Sequence, residues 1–159
     1  MSTVLLARQL LTPLERIEDA ALVMDSGIIA AVGKREAVTI PSQARVVDFG
    51  DSILTPGLID MHVHGGAGHD VMEGCEESLA AIERLMVRHG VTSYCPTTVT
   101  APLEQTLKSL DDLARAAERA DREVGTDPIR AQPLGIHLEG QMCIRDRCGS
   151  EPVVAKSTT

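Results

Sequence analysis

Two histidines one residue apart, His62 and His64, are the side chains of this sequence best suited to chemistry. They close an apolar stretch that follows Thr55-Pro56-Gly57, and this pattern predicts a β-strand that ends in the histidines. Strand side chains alternate between faces, so both imidazoles point the same way, roughly 6–7 Å apart along the strand. Imidazole nitrogen binds zinc and other divalent transition metals, and Gly65-Gly66 leaves the strand exit open. The pattern predicts half of a metal site; the alternative is a histidine pair satisfied by hydrogen bonds.

A carboxylate at the end of another apolar stretch supplies a third candidate ligand. Residues 134–140 predict a strand with Glu139 at its carboxyl end, where its side chain can converge with His62 and His64. His137 lies on the same face one step deeper, where it orients a ligand or packs in the interior rather than binding metal. The alternative for Glu139 is a salt-bridged carboxylate at a strand end.

Other polar residues near these strands have structural interpretations. His69 and Asp70 lie in a glycine-rich loop and are expected to be solvated rather than to contact a substrate. Thr97 and Thr98 end a strand on opposite faces, so at most one of them faces the site. Glu76-Glu77 begins a helix, where the two carboxylates interact with the helix dipole.

The first 54 residues carry short apolar segments with turn residues between them. Strands are predicted over residues 4–7, 20–24, 28–32 and 45–48. Asp25-Ser26-Gly27 separates two of them and predicts a hairpin. Because so few short strands bury little surface, we expect residues 1–54 to be part of a small β-sandwich domain that needs partner strands from elsewhere.

From residue 53 onward, strand and helix patterns alternate. Strands are predicted over 53–63, 91–99 and 134–140, with a helix from Glu76 that Gly90 closes and a second helix after Pro102. The second helix is expected to bury Leu103, Leu107, Leu110, Ala114 and Ala117. Such alternation indicates an α/β fold with a parallel sheet, and chemistry at strand ends favours a (β/α)8 TIM barrel. Only about the first three β units of that barrel fit into residues 55–140, so we expect an N-terminal fragment of a truncated barrel.

The amino-acid composition limits the kinds of binding partner that we expect for this protein. The 159 residues carry a net charge of -8 with a pI near 5.0, which disfavours nucleic acid and acidic membrane surfaces as partners. A small soluble molecule is the expected partner. With no secretory pattern and no long apolar run, the protein is expected to be cytoplasmic. Its four cysteines, Cys75, Cys95, Cys143 and Cys148, are therefore expected to be free thiols.

Three stretches together resemble the amidohydrolase superfamily, and more narrowly the N-acetylglucosamine-6-phosphate deacetylases. Residues 55–64 look like the opening strand shared by many members, including dihydroorotases and isoaspartyl dipeptidases. Residues 89–98 and 134–140 look like the second and third barrel strands of the deacetylases. The resemblance covers residues 4–140.

The resemblance implies a function and a cofactor. Glu139 matches the metal-binding glutamate of the family, and His62 with His64 matches the pair found in members that hold a second metal. One or two divalent ions, zinc, iron or manganese, would activate water and polarise an amide carbonyl. The implied reaction removes the acetyl group from N-acetylglucosamine 6-phosphate, a sugar phosphate of amino-sugar catabolism, and yields glucosamine 6-phosphate and acetate. The implied full-length assembly is a homodimer.

The resemblance also sets limits on this chain. The catalytic aspartate and two further histidine ligands of the family belong to later strands, so we expect the chain as given to be inactive. After Gly140 the sequence departs from the family pattern, and we hypothesise that residues 141–159 are a foreign tail. The alternatives are another amidohydrolase, acting on cyclic amides or dipeptides, and a non-catalytic module that binds a metal or a partner.

Overall fold

The computed structural model describes residues 2–122 and 130–139 of the 159-residue chain. The fold is mixed α/β and divides into two compact units, Met1–Pro56 and Gly57–Thr159. Within the described ranges, neither helix combines the length and the apolar character that crossing a bilayer requires. Gly140, Cys143, Cys148 and the predicted tail over 141–159 lie outside the described residues.

A five-stranded sheet forms the first unit. Its strands are β1 (Ser2–Leu11), β2 (Arg16–Asp25), β3 (Ile28–Lys34), β4 (Arg45–Asp48) and β5 (Ile53–Leu54). β1 pairs antiparallel with β2 and parallel with β4 and β5, and β2 pairs antiparallel with β3. The predicted hairpin is confirmed, because Asp25 pairs with Ile28 across Ser26 and Gly27, whose φ angles of 51° and 82° suit a two-residue turn. The second layer of the predicted sandwich stays a prediction.

The first two strands are longer than predicted because a polar turn closes them tightly. Thr12 Oγ1 accepts the backbone N–H groups of Leu14 at 3.1 Å and Glu15 at 3.0 Å. β1 and β2 therefore stay paired at polar positions. Such positions interrupt the apolar pattern on which the strand prediction depends. One such pair is Gln9 with Glu18, where the Gln9 amide donates to the Glu18 carboxylate at 2.9 Å.

Parallel strands and crossing helices form the second unit, as predicted. In chain order they are β6 (Leu58–Val63), the hairpin β7 (Gly65–Gly66) and β8 (His69–Asp70), a short 3-10 helix (Val71–Glu73), α1 (Glu76–Arg88), β9 (Val91–Pro96), α2 (Leu103–Arg122) and β10 (Gln132–Pro133). β9 lies between β6 and β10 and is parallel to both. Since α1 and α2 connect successive strands, the carboxyl ends of all three strands lie at one edge of the sheet.

The core of the second unit lies between this sheet and its helices. The helical spacing predicts a stripe of Leu79, Ile82, Leu85, Met86 and His89 on α1. The structure buries Leu79, Ile82 and Met86, while Leu85 is half-buried and His89 is exposed. Gly90 follows the helix with φ 79°. The expected stripe of α2 is wrong, since Leu103 and Leu107 are 74% and 56% exposed. The helix instead buries Ser109, Leu113 and Ala116, a face held in place by the Ser109 hydroxyl, which donates to the Met72 carbonyl at 3.1 Å.

The strand predicted over 53–63 is two strands in the structure. Ile53 and Leu54 pair with Gln9 and Leu10 in the first unit, and β6 begins only at Leu58. Pro56 between them has no N–H to donate to a ladder. At Gly57 a Cβ atom would lie 2.6 Å from Thr92 Cβ, so the chain passes β9 too closely for a larger residue.

The third predicted strand is also different from the expectation. Only Gln132 and Pro133 form a strand, and the chain beyond makes an isolated bridge between His137 and Thr97. Leu134 N–H donates to Tyr94 O at 2.8 Å, and His137 N–H donates to Pro96 O at 3.0 Å. Between these two hydrogen bonds the chain advances three residues, from Leu134 to His137, while β9 advances only two, from Tyr94 to Pro96. The extra residue interrupts the ladder.

Candidate metal centre

Three potential metal ligands converge at the carboxyl edge of the parallel sheet. They are His62, His64 and Glu139, which we call the donor cluster, and their ligand atoms all lie within 4.8 Å of one another. The two Nε2 atoms are 2.9 Å apart, and Glu139 Oε2 lies 3.1 Å from His64 Nε2 and 3.6 Å from His62 Nε2. The side chains are 50%, 40% and 31% exposed, in chain order, so the cluster is open to solvent and to a ligand.

An irregularity in β6 brings the two imidazoles together. Asp60 pairs with Tyr94 and Val63 pairs with Pro96, so one extra residue of β6 is accommodated between these pairs. A bulge of this kind bends a strand and changes the direction of its side chains. The imidazoles of His62 and His64 meet edge to face, with ring centroids 4.7 Å apart, which is closer than regular strand alternation predicts.

His64 is held by its ring and by its backbone. Its Nδ1 lies 3.1 Å from Thr97 O, a carbonyl that can only accept, so the proton of the neutral ring is on Nδ1. Nε2 then presents its lone pair to the donor cluster. The His64 carbonyl accepts the Val71 N–H at 2.9 Å, and the chain turns into a hairpin at Gly65, where a Cβ atom would clash with His69 O.

Glu139 reaches the donor cluster because its segment follows the end of β9. Thr98 N–H donates to His137 O at 3.0 Å, and Glu139 N–H donates to Thr98 Oγ1 at 3.3 Å. Thr98 is fully buried. These contacts place the backbone of Glu139 beside the strand end that also supports His64.

His137 lies against the donor cluster without being one of its ligand atoms. Its ring packs edge to face on His62 at 4.9 Å between centroids, and its Nδ1 lies 3.1 Å from Met61 O. This geometry supports a role in orienting His62, and the assignment stays a prediction.

The donor set fits a divalent transition metal. Ligand atoms that share one ion at about 2.0–2.2 Å lie no more than about 4.4 Å from one another. The separations of 2.9, 3.1 and 3.6 Å between these atoms satisfy this limit. Two imidazoles and one carboxylate suit zinc, iron and manganese alike. The geometry therefore supports one shared ion and leaves its identity open.

The loop after His64 has a structural role among its described contacts. Asp70 caps the 3-10 helix by accepting the Met72 N–H at 2.7 Å, and Glu73 completes a capping box by accepting the Asp70 N–H at 3.1 Å. Glu73 also accepts the Ser78 hydroxyl and lies 3.2 Å from His69 Nδ1. The Ser78 hydroxyl, then the Asp70 N–H, lower the pKa of Glu73 to about 2.

A second polar cluster of this unit was not predicted. Glu83, Tyr94 and Arg130, which we call the anchor cluster, lie between the sheet and α1. The Tyr94 hydroxyl donates to Glu83 Oε1 at 2.9 Å, and Arg130 lies 3.7 Å from Glu83 Oε2. Arg130 also pairs at 2.7 Å with Glu76, so this carboxylate does more than face the helix dipole. A charged residue on the apolar stripe of α1, Glu83 between Leu79 and Met86, was the available indication.

Burial and charge both act on the single tyrosine of the chain. Tyr94 is 1% exposed and Glu83 is 6% exposed. Burial first, and then the adjacent Glu83 carboxylate, raise the pKa of the Tyr94 phenol well above its usual range. The hydroxyl therefore remains a neutral hydrogen-bond donor to Glu83.

The amidohydrolase family model matches residues 53–155. This range contains the whole donor cluster and most of the chain, and the chain belongs to the amidohydrolase family.

Two named relatives, both deacetylases of acetylated hexosamine phosphates, are similar to most of this chain. N-acetylgalactosamine-6-phosphate deacetylase of Escherichia coli O157:H7 is 36% identical over 152 residues, which are 96% of this chain and 37% of the relative. N-acetylglucosamine-6-phosphate deacetylase of Vibrio furnissii is 36% identical over 140 residues, which are 85% of this chain and 32% of the relative. The chain thus spans about a third of the length of these relatives.

A solved structure shows the same relationship in three dimensions. It is a mutant N-acetyl-D-glucosamine-6-phosphate deacetylase from Mycobacterium smegmatis in complex with N-acetyl-D-glucosamine-6-phosphate. The match has a TM-score of 0.70 at 30% identity and covers 87% of this chain and 32% of that chain.

Proposed function

We propose that this chain supplies part of the metal centre of a deacetylase acting on N-acetylglucosamine 6-phosphate. The reaction is hydrolysis of the acetamide, which yields glucosamine 6-phosphate and acetate. The convergence of His62, His64 and Glu139 at one edge of a parallel sheet carries the proposal. Similarity to deacetylases of two acetylated hexosamine phosphates supports the substrate class.

The role of this chain in the reaction is to hold and orient the ion. A divalent ion in the donor cluster would supply Lewis acidity toward the acetamide carbonyl. Thr97 keeps the His64 lone pair directed at the ion by accepting the Nδ1 proton. Glu139 contributes the negative charge of the cluster. We assign one ion to these three ligands, and a second ion would need ligands beyond the donor cluster.

The architecture that we propose is the first part of a (β/α)8 barrel over residues 55–140, preceded by part of a β-sandwich over 1–54. Parallel strands β6, β9 and β10 with connecting helices support this proposal. So do apolar residues in β6 and directly after β10 that are more than half exposed, as expected where further barrel strands or helices would pack: Leu58, Ile59, Met61 and Leu134. The foreign tail over residues 141–159 stays a prediction, and the family match, which continues to residue 155, does not favour it. We propose a cytoplasmic homodimer as the state of the complete protein.

Acetate release tests the proposal. The complete product of the gene that encodes this chain, loaded with zinc, iron or manganese, is expected to release acetate from N-acetylglucosamine 6-phosphate. Its Glu139→Gln variant should lose most of that activity, while Glu77→Gln, an exposed substitution on α1, should keep it. A metal-loaded product that releases no acetate from an acetylated hexosamine phosphate, or that hydrolyses dihydroorotate or dipeptides instead, would overturn the assignment.

The galactosamine epimer is a second candidate substrate. The relative that matches 96% of this chain is an N-acetylgalactosamine-6-phosphate deacetylase. Comparing kcat/KM for the two epimers decides between them. We also expect the 159-residue chain alone to bind metal but to release no acetate from either epimer.

A further inference from the structure

Thr97 and Thr98 contact both parts of the backbone that carry the donor cluster. Each is fully buried, although each has a polar hydroxyl. They follow β9 directly, beside His62 and His64 on one side and Glu139 on the other. The sequence places their side chains on opposite faces, which suggests that at most one of them matters to the site.

The Thr97 hydroxyl supports the strand between the two histidines. Its Oγ1 accepts the Val63 N–H at 3.0 Å and donates to Cys95 O at 3.1 Å. This bond comes directly after the bulge of β6, where the regular ladder is interrupted. The side chain thus takes the place of a backbone acceptor at the residue that separates His62 from His64.

The backbone of Thr97 adds two contacts to the same strand end. Its N–H donates to Val63 O at 2.7 Å, and its carbonyl accepts from His64 Nδ1 at 3.1 Å. Thr97 therefore determines both where the histidine backbone lies and which nitrogen of His64 carries the proton.

Thr98 makes its contacts to the other part of the backbone, the segment that carries Glu139. Its Oγ1 accepts the Glu139 N–H at 3.3 Å, and its N–H donates to His137 O at 3.0 Å. Neither hydroxyl has to point at the ion, because each binds the backbone next to a ligand.

We propose that Thr97 and Thr98 are positioning residues of the metal centre, Thr97 for the histidine pair and Thr98 for Glu139. This inference rests on the proposed metal site. Residues that orient metal ligands typically change metal affinity by about 10–100-fold when they are removed. The Thr97 hydroxyl makes two hydrogen bonds, to Val63 N–H and Cys95 O, and the Thr98 hydroxyl makes one, to Glu139 N–H, so the effect of removing the Thr97 hydroxyl is expected to be the larger.

Valine and serine substitutions of the two threonines in the full 159-residue chain test the proposal. Thr97→Val removes the hydroxyl and keeps the shape, whereas Thr97→Ser keeps the hydroxyl and removes the methyl group. We expect the zinc dissociation constant, measured by chelator competition, to rise about 10–100-fold in Thr97→Val and about 10-fold in Thr98→Val. The two serine variants should stay within about threefold of the parent. Thr106→Val on α2 is the matched control, because its hydroxyl bonds only to nearby backbone, and it should not change zinc affinity.

Amide hydrogen exchange supplies a readout that does not depend on metal. Thr97→Val should accelerate exchange at Val63, and Thr98→Val should accelerate it at Glu139. Valine variants that bind zinc like the parent would overturn the inference, as would serine variants as weak as the valine ones, which would indicate methyl packing. If Thr97→Val does not fold, a weakened Thr97→Ser would still overturn the role of the Thr97 hydroxyl, and Thr98→Val tests the role of the Thr98 hydroxyl. A parent chain that binds no zinc, iron or manganese would contradict the metal centre itself, while the exchange rates would still report on the two hydrogen bonds.

Discussion

The donor cluster and the anchor cluster are both groups of ionisable side chains in the second unit. They differ in whether hydrogen-bond donors in the cluster face acceptors. In the anchor cluster a hydroxyl and a guanidinium face the carboxylate of Glu83, so donors meet an acceptor. In the donor cluster two imidazole nitrogens and a carboxylate oxygen face one another. At most one proton lies between the two Nε2 atoms, which are 2.9 Å apart.

This difference separates a structural cluster from a binding site. Buried charges are stable when they are paired and hydrogen-bonded, as Glu83 is with Tyr94 and Arg130. Lone pairs that point at a common position are stabilised by a cation placed there. The anchor cluster therefore contributes to folding, whereas the donor cluster is the group for which we propose a bound ion.

The largest effect is expected from removing a ligand of the donor cluster. His64→Ala should weaken zinc binding by about 100-fold or more, because it removes one of the three donors and the ring that Thr97 orients. The unfolding free energy of the metal-free chain should change little, since the side chain is 40% exposed. His89→Ala, at the exposed end of α1, is the matched control. Equal zinc affinity in the two variants would contradict the assignment of the site.

The reverse result is expected for the anchor cluster. Glu83→Gln should lower the unfolding free energy by about 2–3 kcal/mol, because a nearly buried charge pair and a charged hydrogen bond are lost. Urea denaturation followed by circular dichroism measures this change. Zinc affinity should remain close to that of the parent, and Glu77→Gln should alter neither quantity. A large loss of zinc affinity in Glu83→Gln would show that the two clusters are not separate.

Alkaline pH gives the smallest and most specific test. The pKa of Tyr94 is raised in the folded chain, so the unfolded chain loses its phenol proton first, near pH 10. Above that pH, the stability associated with the neutral phenol decreases by up to about 1.4 kcal/mol per pH unit. Tyr94→Phe should lack this part of the alkaline loss. Because Tyr94 is the only tyrosine, phenolate absorbance reports it alone, and titration at the usual pH in the folded chain would contradict the prediction.

Local patterns predicted much of the architecture. The turn at Ser26-Gly27 and the apolar stripe of α1 depend on neighbouring residues. The structure confirms the turn and three of the five predicted positions of the stripe. The predicted stripe of α2 failed, because Ser109 and its contact with Met72 determine which face of that helix is buried. The predicted strand over 53–63 failed because its ends belong to two different sheets.

The candidate site shows the same division between local and distant effects. The spacing of His62 and His64 predicts that they share a face, and the end of an apolar segment predicts the position of Glu139. Nothing in the local pattern indicates that β6 and the segment before Glu139 each have one residue more than the part of β9 beside them. These extra residues determine how the candidate ligands are directed. The sequence indicated only one side of the polar contact between Glu83 and Arg130, the charge of Glu83 on the apolar stripe of α1, because the contact joins segments far apart in the chain.

By itself, then, the sequence determined which residues carry the candidate donor atoms, the alternation of strands and helices in the second unit, and the class of chemistry that they suggest. These properties follow from side-chain type and from periodicities of two and 3.6 residues, which are local. The tertiary structure alone decided that Glu139 lies 3.1 Å from His64 Nε2 and that Thr97 and Thr98 support the ligands from both sides. Such distances depend on strand register, which backbone hydrogen bonds and packing between distant segments set together.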